Sequence, residues 1–461
     1  MKKKINFYLS FFTFFIVVAL VLFQCSSSLK KQETSFILKD TTQSLHEESY
    51  NEEDFLLNEN ANIADVFDFD RDITVKNSLT HNIWIKVALD RYKREVLLFN
   101  ISGGVIIYSK DNNNFKPVMK YKPNKEEQFR FVSSGNYIIG YIGNRRIIFK
   151  GDVWVHKVDS NFFIGYGKYF YRGDFIIKNT TKGLIAINYL DIEDYLKGVV
   201  PNEIGRLSKR YYEVLKVQSI IARTYTLSKL FSKDSIIKKR GYHLVATIYD
   251  QVYRGISSEY PLTNKAVEET RGLILTYNNK PIVSYYHSAC GGATARISDV
   301  WTQKKDLPYL INVIDTIGGD YACRRAYRFS WKKEYNWGTL ISMLRKNLKL
   351  NIYSLEDIKI IKRTPFFRVK VLRIYYNKSD SIDIYGDKIR WVFKDKKGQG
   401  LYSTFFDLYV KKDIKVTFKG RGYGHGVGLC QHGAIKRALM GWKMKKILFF
   451  YYKDVKLQKI Y

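Results

Sequence analysis

Proline is scarce, with 7 residues in 461, and so is cysteine, with four. So little proline excludes long proline-rich spacers, and four cysteines cannot frame a disulfide-built fold, so any covalent staple is local. Internal repeats and low-complexity tracts are absent. Acidic side chains are in deficit: 44 Asp and Glu stand against 77 Lys and Arg, a formal net charge of +33. Apolar surface is abundant, at 46% hydrophobic and 16% aromatic residues, which excludes wholesale disorder. The length allows two or three structural units.

A strongly basic chain has three ordinary explanations: a nucleic-acid partner, an anionic membrane or cell-wall surface, and the codon bias of an AT-rich genome. The N-terminus discriminates among them. Lys2, Lys3 and Lys4 precede an uncharged run from Phe7 to Phe23, the pattern of a bacterial export signal. Cys25, followed by Ser26, Ser27 and Ser28, stands where a lipoprotein signal places its lipidated cysteine, although Phe23 and Gln24 depart from the small residues usual there. An uncleaved signal anchor is the other reading. Either places the body outside the cytoplasm and tethered to the membrane, which puts nucleic acid last among partners.

Residues 1–25 therefore read as the signal or anchor and residues 26–75 as an acidic tether. Residues 1–40 carry +4 and residues 41–70 carry −9, leaving +38 on residues 71–461. Residues 76–184 form a β-rich region, with strand-like runs at Ile83–Leu89, Val96–Ile101, Val105–Tyr108, Tyr137–Ile142 and Phe162–Tyr166 between Gly, Asn and Asp turns. Ser208–Phe231 lacks Gly and Pro and repeats Val214, Val217, Ile221, Thr224 and Leu227 at helical steps, predicting a buried helix. Further helices are expected at Pro261–Arg271, Gln431–Met440 and Lys445–Tyr452. Strands are expected at Leu273–Tyr277, Ile282–Tyr286, Phe367–Tyr375, Trp391–Phe393 and Ile414–Phe418. The class is α+β, weighted to β, with neither Rossmann nor TIM architecture.

Five blocks in residues 185–461 carry more information. They are Leu190–Glu203 (LDIEDYLKGVVPNE), Val214–Tyr225 (VLKVQSIIARTY), Gln251–Gly255 (QVYRG), Tyr286–Thr294 (YHSACGGAT) with Val300, Trp301 and Pro308–Leu310, and Gly424–Ala434 (GHGVGLCQHGA) with Ile447–Tyr452. In this order they resemble the SpoIID/LytB family of peptidoglycan lytic transglycosylases and amidase enhancers. The resemblance implies a catalytic region over residues 185–461, a peptidoglycan glycan substrate, no cofactor, and an amidase as a possible partner.

In that family Glu203 stands at the position of the catalytic glutamate. The chemistry suits it: protonating a glycosidic oxygen near neutral pH needs a carboxylic acid of raised pKa, and Glu203 lies among Val199, Val200, Pro201 and Ile204. The plain alternative is a carboxylate charging the start of the following helix. Arg223 has two readings, a paired donor to a substrate carboxylate or to Glu203, or a partly buried arginine pairing with an acid such as Asp194. Gln251, His287, Ser288, His425 and Gln431 match positions expected near the groove and stand as substrate-binding candidates, although a lone histidine is more often structural. Gly424, Gly426 and Gly428 suit turns and close backbone approach, not a nucleotide loop.

Some relatives hold zinc on a His and Cys cluster just before the Gln251 position. Here Tyr249 and Asp250 replace the His-Cys pair and only His243 remains upstream, so no metal is expected there. His287 and Cys290 are spaced like half a site that Cys323 or Cys430 could complete, but disulfide pairing suits an exported chain better. A Cys290–Cys323 disulfide is expected, leaving Cys430, which replaces the family's usual Ser, as a buried thiol.

Overall fold

The computed structural model describes residues 82–111, 114–232 and 235–461. The export signal, Cys25 and the acidic tether lie outside the described residues. No described helix is long and apolar enough to cross a membrane.

Short alternating runs in the N-terminal half pair into two sheets. The larger orders Leu244–Val245, Trp84–Ala88, Gly183–Asp191, Asp174–Thr180, Val153–Lys157, Val105–Asp111 and Asn114–Tyr121. The second orders Tyr169–Tyr171, Ile164–Tyr166, Glu95–Ile101, Glu127–Ser134, Tyr137–Ile142 and Arg145–Phe149. Pairing is antiparallel except at Leu244–Val245, which joins Trp84–Ala88 in parallel. Alternation decides what is buried. Ile85 and Val87, Val96 and Leu98, Phe129 and Phe131 are all inward and at 0% exposure, as the period of two demands.

The Gly183–Asp191 strand runs straight into a helix at Ile192–Ile204. Asp191 caps it by accepting the N–H of Glu193 at 2.8 Å, and Glu193 and Asp194 sit favourably in the first turn. Ile192, Tyr195, Leu196, Val199 and Val200 make one buried stripe. This stripe packs on the Tyr212–Leu230 helix, whose middle is buried on nearly every side. Glu203 therefore closes its own helix and does not open the next one, contrary to the plainer sequence reading.

The expected helices appear at Tyr212–Leu230, Pro261–Glu269, Gln431–Leu439 and Met444–Tyr451. Trp391, expected in a strand, belongs instead to a short helix at Lys388–Val392, where Asp387 accepts both Arg390 Nη1 and Trp391 Nε1 at 3.0 Å. Ile282–Tyr286 is strand only at its end, Tyr286–His287. Pairing of that end with Leu429–Cys430 is parallel and is fixed by tertiary contact.

A second core, built on Trp331, Leu340, Leu372, Ile374, Phe393 and Phe418, is separate from the main one. It packs a helix at Trp337–Leu348, unforeseen in the sequence, with two three-stranded antiparallel sheets.

Candidate active site

Gly198 is where the site begins. A Cβ there would stand 2.6 Å from the Tyr253 ring and 2.8 Å from the Gly255 carbonyl, so only glycine lets the Gln251–Gly255 segment lie against the helix. That approach puts the Val252 N–H on Glu203 Oε1 at 2.6 Å. The Tyr286 hydroxyl also bonds the carboxyl group. Glu203 is half-buried, and burial pushes its carboxyl up to about 7 against the opposing pull of Val252 and Tyr286. Such a group is an acid and a base in comparable proportion at neutral pH.

Gln431, first residue of its helix, donates through Nε2 to the Glu203 carbonyl at 2.9 Å and to Gln218 Oε1 at 3.3 Å. It locks the helix end that carries Glu203. Gln251 lies at 0% exposure, and its amide is fully engaged inside the protein: Oε1 accepts from Thr226 (2.9 Å) and Tyr195 (3.2 Å), while Nε2 donates to the Tyr286 hydroxyl (3.3 Å). The expectation that Gln251 binds substrate is corrected to a supporting role: it orients Tyr286.

Of the two readings of Arg223, the buried arginine paired with an acid is the one the structure shows, in place of substrate binding. It is at 0% exposure and forks onto Glu193 through Nε and Nη2, both at 2.7 Å, while also donating to the Val267 and Leu273 carbonyls at 3.2 Å. Burial alone would raise the Glu193 carboxyl, but Arg223 and the Tyr461 hydroxyl hold it below the ordinary range. Glu193 begins the helix that Glu203 ends, about 15 Å away along the axis at 1.5 Å per residue. Arg223 serves the core and not the groove, and its acid is Glu193, not Asp194.

His287 and His425 stack edge to face with centroids 5.6 Å apart. His287 Nδ1 bonds the Val427 carbonyl at 3.1 Å, and its Nε2 has no partner among the described residues. His425 Nδ1 accepts the Val427 N–H at 3.0 Å, and its ring packs on Trp301 at 5.2 Å. Burial pushes His425 down to about 4 and His287 well below its usual range, so both imidazoles are neutral at pH 7. Ser288 is half-buried, and its carbonyl accepts the His432 N–H at 3.1 Å. The glycine-spaced loop makes close approach possible here: at Gly428, with φ +72°, a Cβ would meet the Tyr285 carbonyl oxygen at 2.0 Å.

Glu203, Gln431, Gln251 and Tyr286 are thus brought into one connected network, with His287 following Tyr286 on its strand and His425 packed against it from the glycine-spaced loop. Sequence reasoning missed Tyr286, Gln218 and the Val252 N–H. Tyr286 stands within the YHSACGGAT block, directly before the histidine and serine that are its chemically more conspicuous residues.

Just before Gln251, the side chains of His243 and Asp250 are engaged by the protein itself. His243 Nδ1 accepts the Lys86 N–H at 3.0 Å, and the Asp250 carboxylate accepts the Tyr225 hydroxyl (2.8 Å) and the Val245 N–H (2.9 Å). The expected Cys290–Cys323 disulfide is not formed. The two sulfurs are 3.6 Å apart, and Cys290, Cys323 and Cys430 are all free thiols.

Residues 180–277, which hold both central helices, match the Stage II sporulation protein (SpoIID) family, and residues 316–428, which hold the second core, match a domain of unknown function (DUF8618). The chain is 31% identical to the protein named Amidase enhancer of Bacillus subtilis over 56% of its own length, but spans only 39% of that relative. It is 30% identical to an uncharacterised protein of Brachyspira hyodysenteriae, covering 65% of this chain and 75% of the relative. Stage II sporulation protein D of B. subtilis is 28% identical over 59% of this chain and 76% of its own length. The chain belongs to the SpoIID/LytB family.

Proposed function

We propose that the protein is a membrane-tethered, extracytoplasmic lytic transglycosylase that cuts peptidoglycan strands between MurNAc and GlcNAc, with Glu203 as its single acid/base. The observation that carries this reading is a half-buried carboxyl group raised to about 7 and held in place by Val252 and Tyr286. Protonated Glu203 gives its proton to the glycosidic oxygen as the C1–O bond breaks. The resulting carboxylate takes the proton of the MurNAc C6 hydroxyl as that oxygen bonds C1, leaving a 1,6-anhydro end and returning Glu203 to its acid form. The nucleophile comes from the substrate, so the second carboxylate of a hydrolase is not required. Gln251 and Gln431 hold this geometry, and neutral His287, His425 and Ser288 are the candidates for contacting sugar hydroxyl and acetamido groups.

A second reading is favoured by the relative named Amidase enhancer: a peptidoglycan-binding protein that stimulates an amidase without cutting glycan. A third, an inert envelope anchor, predicts neither activity nor saturable glycan binding. Purified glycan strands, with and without stem peptides, incubated with the chain and analysed by mass spectrometry separate them. Anhydro-MurNAc ends that vanish with Glu203→Gln support the lytic reading. Undiminished product in that variant sinks it, and stimulated peptide release by an added amidase without anhydro ends favours the second.

A further inference from the structure

Cys290, Cys323 and Cys430 are far apart in sequence, yet their sulfurs and one Asp315 carboxylate oxygen all lie within 4.8 Å of one another. All four residues are at 0% exposure. Cys290 Sγ stands 3.6 Å from Cys323 Sγ and 3.2 Å from Asp315 Oδ2. Zinc–sulfur bonds of about 2.3 Å at tetrahedral angles separate sulfurs by roughly 3.8 Å, so the spacing is that of a ligand shell.

We propose that Cys290, Asp315, Cys323 and Cys430 form a closed structural site for a single zinc ion, separate from Glu203. Three features beyond the spacing support it. Every sulfur accepts a backbone N–H: Cys290 from Gly292 (3.3 Å), Cys323 from Gly291, and Cys430 from Cys290 (3.3 Å) and Gly433 (3.4 Å). A thiol is a weak acceptor and a metal-bound thiolate a good one. Asp315 is aimed from behind, since its Oδ1 takes Arg437 Nη1 at 2.5 Å and the Tyr451 hydroxyl at 3.0 Å, which leaves Oδ2 facing the sulfurs.

Charge is the third feature. Arg437, at 0% exposure, and Arg368, at 1%, are both buried beside the cluster, and Arg368 Nη2 donates to the Cys290 carbonyl at 2.6 Å. Arg368 Nε and Nη1 and Arg437 Nε have no hydrogen-bond partner among the described residues. With thiols and no ion, Asp315 answers Arg437, while Arg368 donates to the Cys290 and Ala293 carbonyls and the carboxylate acting on it is that of Asp387. Three thiolates and a carboxylate around a divalent ion carry two negative charges in excess, matching both guanidiniums. Three soft sulfurs with one oxygen, fully enclosed, suit zinc better than calcium, magnesium or an open catalytic metal.

Binding replaces three S–H protons, which go to solvent as three Zn–S bonds form. The ion would clamp the Gly291–Gly292 turn and the Cys323 loop to Cys430, the residue that caps the Gln431 helix. It would thus hold Gln431 against the end of the Glu203 helix.

The test uses the full chain purified without reductant or chelator. Elemental analysis should find about one zinc per chain, and alkylation of three cysteines should proceed only after chelation or denaturation. Cobalt exchanged into the site should show thiolate-to-metal charge-transfer absorption. Cys430→Ser should weaken zinc binding at least ~10-fold. Should that variant not fold, release of one zinc per chain by a thiol-blocking mercurial reads the same ligands in the unaltered protein. A Cys290–Cys323 disulfide found by mass spectrometry of unreduced protein, or three free thiols without zinc after dialysis against zinc salt, would overturn the proposal.

Discussion

Oε1 of Glu203 accepts the backbone N–H of Val252 at 2.6 Å across 49 residues of sequence, and Gly198, one turn and a little earlier on the Glu203 helix, is what lets the two segments meet. A carboxyl group so placed is enclosed enough to be a weak acid, yet its oxygen is aimed by main chain and does not depend on a mobile partner.

The pKa of Glu203, raised from 4.5 to about 7, ties stability to pH. The folded state holds a proton that the unfolded state has released between pH 4.5 and 7, so stability falls as pH rises through that window and levels off above it. Glu203→Gln keeps the acceptor for Val252 and removes the charge. The variant should match the wild type at pH 4.5 and exceed it at pH 8 by on the order of 1–3 kcal/mol in urea denaturation. Equal stability at both values would show that Glu203 is not enclosed.

Anhydro-MurNAc formation should decline as pH rises above about 7, where the acid form is lost. Tyr286 lowers the Glu203 pKa by bonding its charged form. Tyr286→Phe should therefore move the alkaline limb of the pH–rate profile upward, by less than about one unit, in addition to any loss of rate. An unmoved limb would remove Tyr286 from the site.

Gln251→Ala should lower kcat more than it raises KM, because Gln251 supports Tyr286 and is itself enclosed. The comparison is made on isolated glycan strands. A rise in KM alone, at unchanged kcat, would return Gln251 to direct substrate contact.

The Arg223–Glu193 pair is a stability element. Arg223→Met leaves a buried carboxylate without its partner and should cost about 3–5 kcal/mol, read as a shift of the urea midpoint. Replacing both residues with apolar side chains of similar volume should recover most of the loss. Glycan affinity of the folded variant should be unchanged.

His425, lowered to about 4, and His287, lower than usual, should show no imidazole titration by NMR between pH 5.5 and 8. The activity profile in that range then belongs to Glu203.

Much of the fold was legible in the sequence because it rests on local pattern. Period-two alternation marks strands such as Val96–Ile101, and the helical spacing from Val214 to Leu227 marks the central helix. The Ile192–Ile204 helix was obscured by Gly198, Val199, Val200 and Pro201, which are poor helix formers that tertiary packing overrides. In the same way Trp391 reads as a strand residue until Asp387 accepts its indole N–H.

The sequence by itself determined the α+β class and the family and singled out Glu203 as the candidate acid/base, because these depend on residue types in a fixed order. Which groups surround Glu203, which residues are buried and where the thiols meet depend on contacts between distant segments. Gln251 was a substrate candidate through its family position and Arg223 through its capacity to grip a carboxylate, and folding turned both inward, to Tyr286 and Glu193. The spacing of Cys290, Cys323 and Cys430 along the chain left a half site and a disulfide both open, because the 286–295 segment meets residues 423–430 through pairing between distant segments, the contact that gathers the sulfurs.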